Sequence, residues 1–224
     1  MKQWLARLLT LAATLTLLTP AFASVNPGAD HGWQLRKDQA GIRIYTRPDP
    51  NSPLDEFKGI TEFNTSLSSL VQLIRDTQNT KRWMHRSGGT TLLETVHVHE
   101  QVLHTITRSP WPVSDRDVVL RAMHRQHPET RIITITLESI ENQILADSDY
   151  VRMPHLHGTW IFTPTNNGVI EVRYQMSADP GGSIPAWLAA SSSIDMPFIT
   201  LQNMRKILSE KVYRFAVVED VVEP

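Results

Sequence analysis

The sequence Asp179-Pro180-Gly181-Gly182-Ser183-Ile184-Pro185 opens the stretch of chain that decides the fold. Its glycines and prolines predict a loop, because glycine permits positive φ and proline fixes φ at about −65°. A long helix is predicted to follow and to reach Tyr213, and Pro185 suits its first turn. The apolar side chains that share one side of this helix are Trp187, Ile194, Phe198, Leu201, Leu208 and Val212. A stripe about seven turns long needs a large surface to pack against.

The residues before this helix carry mostly the alternating pattern of β-strands. The predicted strands, each bounded by turn residues, are 41–47, 56–63, 91–99, 101–108, 117–127, 130–141, 151–163 and 169–178. Residues 66–83 have helical spacing, 87–89 end that helical region, and 25–38 are predicted to be a short helix or lead-in that packs Trp33. Consecutive strands joined by short turns pair antiparallel, and a growing sheet twists and curls. The prediction is therefore an α+β fold in which a curved antiparallel sheet wraps around the long C-terminal helix, with room between them for a ligand cavity.

The first residues have the features of a secretory signal peptide. Lys2 and Arg7 form a basic start, residues 8–18 are an apolar segment too short to span a bilayer comfortably, and Ala21-Phe22-Ala23 is a cleavage signature. Cleavage after Ala23 is expected, which predicts a periplasmic or secreted protein with one domain over residues 24–224. An uncleaved membrane anchor stays open as the alternative.

The charge balance and the cysteine count exclude several classes of partner and modification. Removing Lys2 and Arg7 leaves 20 basic and 23 acidic residues, and no long basic run is present, so nucleic acid is not an expected partner. The chain has no cysteine, which excludes disulfides and a lipid-modified amino terminus. A chain of this length can bury an adequate core without disulfides.

An ordered series of short motifs lies between Trp33 and Val212. They are Trp33-x-Leu35, Gly41-Ile42-x-Ile44-Tyr45, Glu56-Phe57-Lys58-Gly59, Trp83, Pro112-Val113-Ser114-x-Arg116-Asp117, Val151-Arg152, Gly158-x-Trp160, Tyr174, Asp179-Pro180-Gly181-Gly182-x-Ile184-Pro185-x-Trp187 and Pro197…Leu201…Met204-Arg205. Together they resemble the START domains, lipid-transfer modules of the helix-grip (SRPBCC) superfamily.

The resemblance implies a helix-grip fold whose internal tunnel binds one apolar molecule, such as a sterol, phospholipid, ceramide or fatty acyl compound. It also implies that the terminal helix and a neighbouring loop act as a lid. Sterol-binding members are expected to carry a buried acid and a buried arginine at the positions of Leu103 and Ala122, and neither residue here is charged. A sterol is therefore the less expected ligand.

The candidate ligand-binding residues are Arg152, Trp160, Tyr174, Trp187, Ile194, Asp195 and Phe198. The aromatic residues are expected at the interface of sheet and helix, where core packing is the competing interpretation. Arg152 suits a ligand carboxylate or phosphate, and if buried it would need a partner such as Asp195 or Glu171. The pair Arg116-Asp117 is interpreted as a charged strand start that fixes the loop before it, with a polar contact near the tunnel as the alternative.

Three functions are compatible with this pattern. The first is a lipid-binding or lipid-transfer protein, expected to be a monomer without a cofactor, that encloses one apolar ligand and contacts membranes transiently. The alternative is a cavity-based enzyme of the cyclase or hydrolase kind, for which Tyr174 with Asp195 or Arg152 is the available titratable pair. The third is a structural module whose interior is filled by Trp160, Tyr174, Trp187 and Phe198.

No metal site is predicted. His97-x-His99 and His155-x-His157 each place two imidazoles on one face of a strand, because strand side chains alternate. A zinc site needs three or four ligands, and no carboxylate or cysteine spacing accompanies either pair. Exposed strand faces explain the histidines more simply.

Overall fold

A computed structural model describes residues 32–140 and 149–224 of the chain. The predicted signal peptide, residues 1–23, lies outside the described residues. The strands are β1 Gln34–Gln39, β2 Ile42–Arg47, β3 Glu56–Phe63, β4 Ser87–His97, β5 Glu100–Thr107, β6 Arg116–Gln126, β7 Ile133–Ser139, β8 Val151–Arg152, β9 His155–Pro164 and β10 Ile170–Asp179. The helices are α1 Leu67–Arg75, α2 Thr80–Trp83, α3 Ala186–Ile207 and α4 Lys211–Arg214, with a 3-10 turn at Thr77–Asn79.

The described strands form one ten-stranded sheet, in which nine strands follow the order β1-β2-β3-β10-β9-β7-β6-β5-β4. Neighbours along this path are antiparallel, and β8 adds a short parallel pairing to β6. The sheet is curved and unclosed, and α3 lies across it, packing on β2 and β3. Gly59 allows this close approach, because a Cβ built there would lie 2.8 Å from Leu201 Cδ1. The predicted α+β helix-grip fold is confirmed.

The amino-terminal prediction needs correction. Within residues 25–38, the described part forms the edge strand β1 rather than a helix, and Trp33 is buried just before it. Most side chains of β1 are exposed, so the strand has no apolar alternation from which it could be read. Polar and charged residues on an edge strand also discourage pairing with other chains.

Several predicted boundaries also differ. The helical region 66–83 divides into α1, the 3-10 turn and α2, and Ser87–Gly89 belongs to β4 rather than to a turn. The strand predicted for 151–163 is divided into β8 and β9. The C-terminal helix ends at Ile207, and the chain resumes a helical course only in α4. Among the described residues, no helix is both long and apolar enough to cross a membrane.

Candidate functional site

A cavity lies between the concave face of the sheet and the helices α2 and α3. The centres of water molecules could occupy about 160 Å³ of this cavity. On the same measure, one water molecule requires roughly 10–15 Å³. The alternative of a module filled by its own side chains is therefore wrong. Trp160 and Tyr174 line this space without closing it, and Trp187 is 55% exposed.

Stacked aromatic rings form the floor of the cavity. Trp160 on β9 and Tyr174 on β10 are direct cross-strand partners, and their rings stack at 3.8 Å with an interplanar angle of 4°. Phe57 meets Tyr174 edge-on at 4.9 Å, and Trp83 meets Trp160 at 6.1 Å. Burial raises the pKa of Tyr174, so its hydroxyl stays neutral at physiological pH. The floor is therefore aromatic and uncharged.

Most of the remaining wall is aliphatic. Strand side chains include Leu103, Val118, Leu120, Leu137 and Leu156, and three methionines, Met153, Met176 and Met196, complete the apolar surface. Methionine is unbranched and adapts to irregular shapes. The indole Nε1 of Trp83 is a buried donor with no hydrogen-bond partner among the described residues. The wall thus suits a ligand that is largely hydrocarbon.

A polar end of the cavity lies where α2 passes into β4. His85 and Arg86 contribute to it, together with Thr90, Thr105 and Thr107 from the paired strands. Burial, and then the neighbouring Arg86 charge, lower the pKa of His85, so its imidazole is neutral at pH 7. Arg86 makes a long hydrogen bond of 3.4 Å from Nη2 to Ser191 Oγ. Arg108 and Arg116 also reach the lining, but Arg108 pairs with Asp115 and Arg116 is bound to loop carbonyls. The cavity therefore combines a largely apolar interior with a cationic side chain, Arg86, that is held only by one long hydrogen bond.

Arg116 joins two loops beside the cavity. Its guanidinium donates to the carbonyl oxygens of Ser114, Pro180, Gly181 and Ser183. The loop before β6 is thereby fastened to the Asp179–Pro185 loop that leads into α3. This is the structural role that the sequence favours for Arg116, although its partners are carbonyls and not Asp117.

The structure separates the predicted ligand-binding residues into two groups. Trp160 and Tyr174 lie on the cavity wall, whereas the others lie outside its lining. Arg152 ion-pairs with the buried Asp117, Nε to Oδ1 at 2.9 Å and Nη2 to Oδ2 at 2.7 Å, and not with Asp195 or Glu171. Asp117 and Arg116 alternate along β6, so Asp117 faces away from the cavity.

The other predicted residues belong to the neighbouring face of α3. Asp195 pairs with Lys37 at 3.1 Å, and Lys37 Nζ also lies 4.2 Å from the ring centroid of Phe198. Trp187 is half-exposed and Ile194 is half-buried. The part that Arg152, Trp187, Ile194, Asp195 and Phe198 take in ligand binding stays a prediction.

The cavity face of α3 was missed because small polar residues interrupt its apolar side chains. This face carries Leu188, Ser192, Ser193, Met196 and Thr200. The larger apolar residues beside it pack on the sheet, as Leu201 does over Gly59. Hydropathy plotted on a helical wheel identifies the face of α3 that packs on the sheet, but not the face that borders the cavity. Short side chains next to an apolar stripe are the signal that could have located the cavity.

Comparisons with known proteins agree on one family. A family model described as START domain matches residues 21–211. An uncharacterised protein of Pseudomonas aeruginosa is 30% identical over 198 residues, covering 88% of this chain and 97% of that protein. The human phosphatidylcholine transfer protein is 29% identical over 181 residues, covering 79% of this chain and 80% of that protein.

A solved structure is similar over most of the fold. The crystal structure of a fragment of the STAR-related lipid transfer protein from Xanthomonas axonopodis superposes with a TM-score of 0.73 at 34% sequence identity. The superposition covers 80% of this chain and 99% of that fragment.

Proposed function

This chain belongs to the START domain family, and from that premise we propose that it binds one lipid in the cavity and transfers it between membranes. The observation that carries the proposal is the cavity itself, with an aromatic floor, an aliphatic wall and one polar end. Binding would be driven by the burial of ligand hydrocarbon, which contributes on the order of 25 cal/mol per Å². No covalent step is required.

The ligand class we propose is a phospholipid. The acyl chains would lie against Leu103, Leu120 and Trp160, and the phosphate would lie near Arg86 at the polar end. A guanidinium can give a phosphate two parallel hydrogen bonds, and the single long contact of Arg86 with Ser191 is weak enough to be exchanged. The relative named for phosphatidylcholine transfer supports the same class.

Native mass spectrometry of the purified protein tests the proposal directly. We expect one lipid of phospholipid mass bound per chain, released when the spray conditions denature the protein. An Arg86→Gln variant should hold at least tenfold less phospholipid, while an Arg121→Gln variant, altered at a half-exposed arginine that lies outside the cavity lining, should hold the wild-type amount. A protein that never carries lipid, even after incubation with phospholipid vesicles, would contradict the function.

Two exposed tryptophans support the proposal of transient membrane contact. Trp111 is 91% exposed, and Trp187 in the first turn of α3 is 55% exposed. Trp111 lies within one of the two loops that Arg116 fastens together beside the cavity, and Trp187 lies just after the other. Tryptophan favours the interface between water and hydrocarbon, so these rings are suited to enter a bilayer surface while lipid is exchanged.

Removing both rings should slow transfer without emptying the cavity. For a Trp111→Ala/Trp187→Ala variant we expect the transfer rate between vesicles to fall at least tenfold, with the amount of bound lipid unchanged. Phe215→Ala, at another exposed aromatic outside the cavity lining, is the matched control. Wild-type transfer by the double variant would show that the protein meets membranes through another surface.

Export of the protein is part of the same proposal. The basic start, the short apolar segment and the Ala21-Phe22-Ala23 signature support removal of residues 1–23 and a periplasmic or secreted product. An intact mass that lacks these residues would be recorded in the same spectrum as the bound lipid.

The enzyme alternative finds less support. The titratable pair available to it was Tyr174 with Asp195 or Arg152, and of these only Tyr174 lines the cavity. Asp195 is paired with Lys37 and Arg152 with Asp117. Binding and transfer without chemistry is therefore the function we propose.

A further inference from the structure

Two histidines and one aspartate meet outside the lipid cavity. His99 lies in the turn between β4 and β5, His124 lies near the end of β6, and Asp220 lies in the segment after α4. His99 Nδ1 is 3.1 Å from Asp220 Oδ2, and His124 Nδ1 is 3.8 Å from the same oxygen. The two Nδ1 atoms are 3.4 Å apart. None of the three residues lines the cavity.

We propose that His99, His124 and Asp220 form a binding site for a divalent transition-metal ion, with Zn²⁺ as the best-suited ion. Two imidazole nitrogens and a carboxylate oxygen are a donor set that zinc uses, with a fourth position left for water. Tetrahedral bonds of about 2.0–2.2 Å place two ligand atoms about 3.3–3.6 Å apart. The three observed separations of 3.1, 3.4 and 3.8 Å bracket that range. Small rotations of the side chains would complete the geometry.

The hydrogen bonds at this site orient a nitrogen lone pair toward it. Arg75 Nη2 lies 3.2 Å from His124 Nδ1, and a guanidinium can only donate, so this nitrogen accepts. The ring of His124 is buried, which fixes its orientation. His99 is half-exposed, so its other nitrogen can carry the proton toward solvent once Nδ1 binds a metal. Both rings can therefore present Nδ1 to one ion.

Arg75 holds the carboxylate and competes with the ion. Its Nη1 and Nη2 donate to Asp220 Oδ1 and Oδ2 at 2.8 and 2.6 Å. Ligating carboxylates are commonly held by a second hydrogen bond of this kind. An entering ion would replace the contact between Arg75 and His124 and leave the contact with Asp220 Oδ1 in place. The positive charge of Arg75 lowers the affinity, so binding is expected to be reversible.

Metal binding would fasten the C-terminal segment. Glu223 already accepts hydrogen bonds from the backbone N–H groups of Leu67 and Ser68, at the start of α1, at 2.9 and 2.8 Å. Val222 exchanges two hydrogen bonds with Gln126 of β6. An ion held by Asp220, His99 and His124 would add a second attachment of this segment to the sheet, beside that of Val222 to Gln126, independently of whether a lipid is bound.

Isothermal titration with Zn²⁺ tests the site on the full chain, purified without a histidine tag and treated with chelator. We expect one equivalent to bind, and His99→Gln and Asp220→Asn each to weaken binding at least tenfold. His97→Gln and His157→Gln, at exposed histidines outside the cluster, should bind as the wild type does. Co²⁺ in place of Zn²⁺ should give tetrahedral visible absorption bands that His99→Gln lacks.

The thermal melting temperature of each metal-free variant controls for folding. His99 is half-exposed, so His99→Gln is expected to melt within a few degrees of the wild type and decides the outcome if Asp220→Asn fails to fold. Wild-type affinity in His99→Gln would overturn the proposal, as would a wild-type chain that binds no Zn²⁺. Lipid occupancy measured in the same samples separates this result from the proposed lipid function.

Discussion

Thr105→Trp is expected to reduce bound lipid at least tenfold while the fold remains intact. Thr105 lies on β5 with its side chain on the cavity wall, where its hydroxyl is 3.3 Å from that of Thr90. An indole at this position would occupy the space that the lipid chains need. Adding atoms to a packed core costs about 1–3 kcal/mol, but here an existing cavity receives the ring, so the stability cost should lie at the low end.

Thr134→Trp is the matched control for this substitution. Thr134 lies on β7 between the buried Ile133 and Ile135, and because strand side chains alternate it faces away from the core. We expect this variant to carry lipid at the wild-type level. Lipid content is measured by native mass spectrometry and stability by thermal melting. Equal lipid content in Thr105→Trp and the wild type would show that the ligand lies elsewhere.

The overall fold could be predicted because its signals are local and repeated. Alternation along β2, β3, β9 and β10 identifies strands, and helical spacing around Leu201 identifies the helix that crosses them. The strand β1 was not predicted, because an exposed edge strand needs no apolar alternation. The end of α3 at Ile207 was not predicted, because the apolar spacing continues through Leu208 to Val212 although the backbone leaves the helix.

The candidate site was predicted only in part, because the space that side chains leave empty has no direct signal in the sequence. Trp160 and Tyr174 were identified by their size, and both are on the wall. The polar end of the cavity was not predicted, because His85 and Arg86 lie in the short connection between α2 and β4, which has no helical or strand periodicity. The sequence predicts Arg152 as a ligand contact, yet the structure pairs it with Asp117 of β6, which lies 35 residues earlier in the chain. Such pairings depend on strand register, which spacing alone does not give.

Asp117→Ala is expected to destabilise the fold by about 3 kcal/mol, the cost of breaking a buried ion pair. Asp117 is 2% exposed and accepts hydrogen bonds from Arg152, and its Oδ2 lies 2.9 Å from His104 Nε2. Removing its carboxylate leaves the Arg152 guanidinium, whose side chain is 33% exposed, without that partner. Urea unfolding measures the change. Glu138→Ala is the control, because its contact with His157 is exposed and should contribute less than about 1 kcal/mol.

The same carboxylate should make the stability difference depend on pH. Burial alone would raise the pKa of Asp117, but the hydrogen bonds from Arg152 and His104 outweigh burial and hold the pKa below its usual value. Since the folded pKa is lower than the unfolded one, the stabilisation is fully present above about pH 4. It is lost as the pH falls through the folded pKa. The difference in unfolding free energy between the wild type and Asp117→Ala should therefore narrow below about pH 4. A difference that stays constant down to pH 2 would mean that folding does not lower the pKa of Asp117.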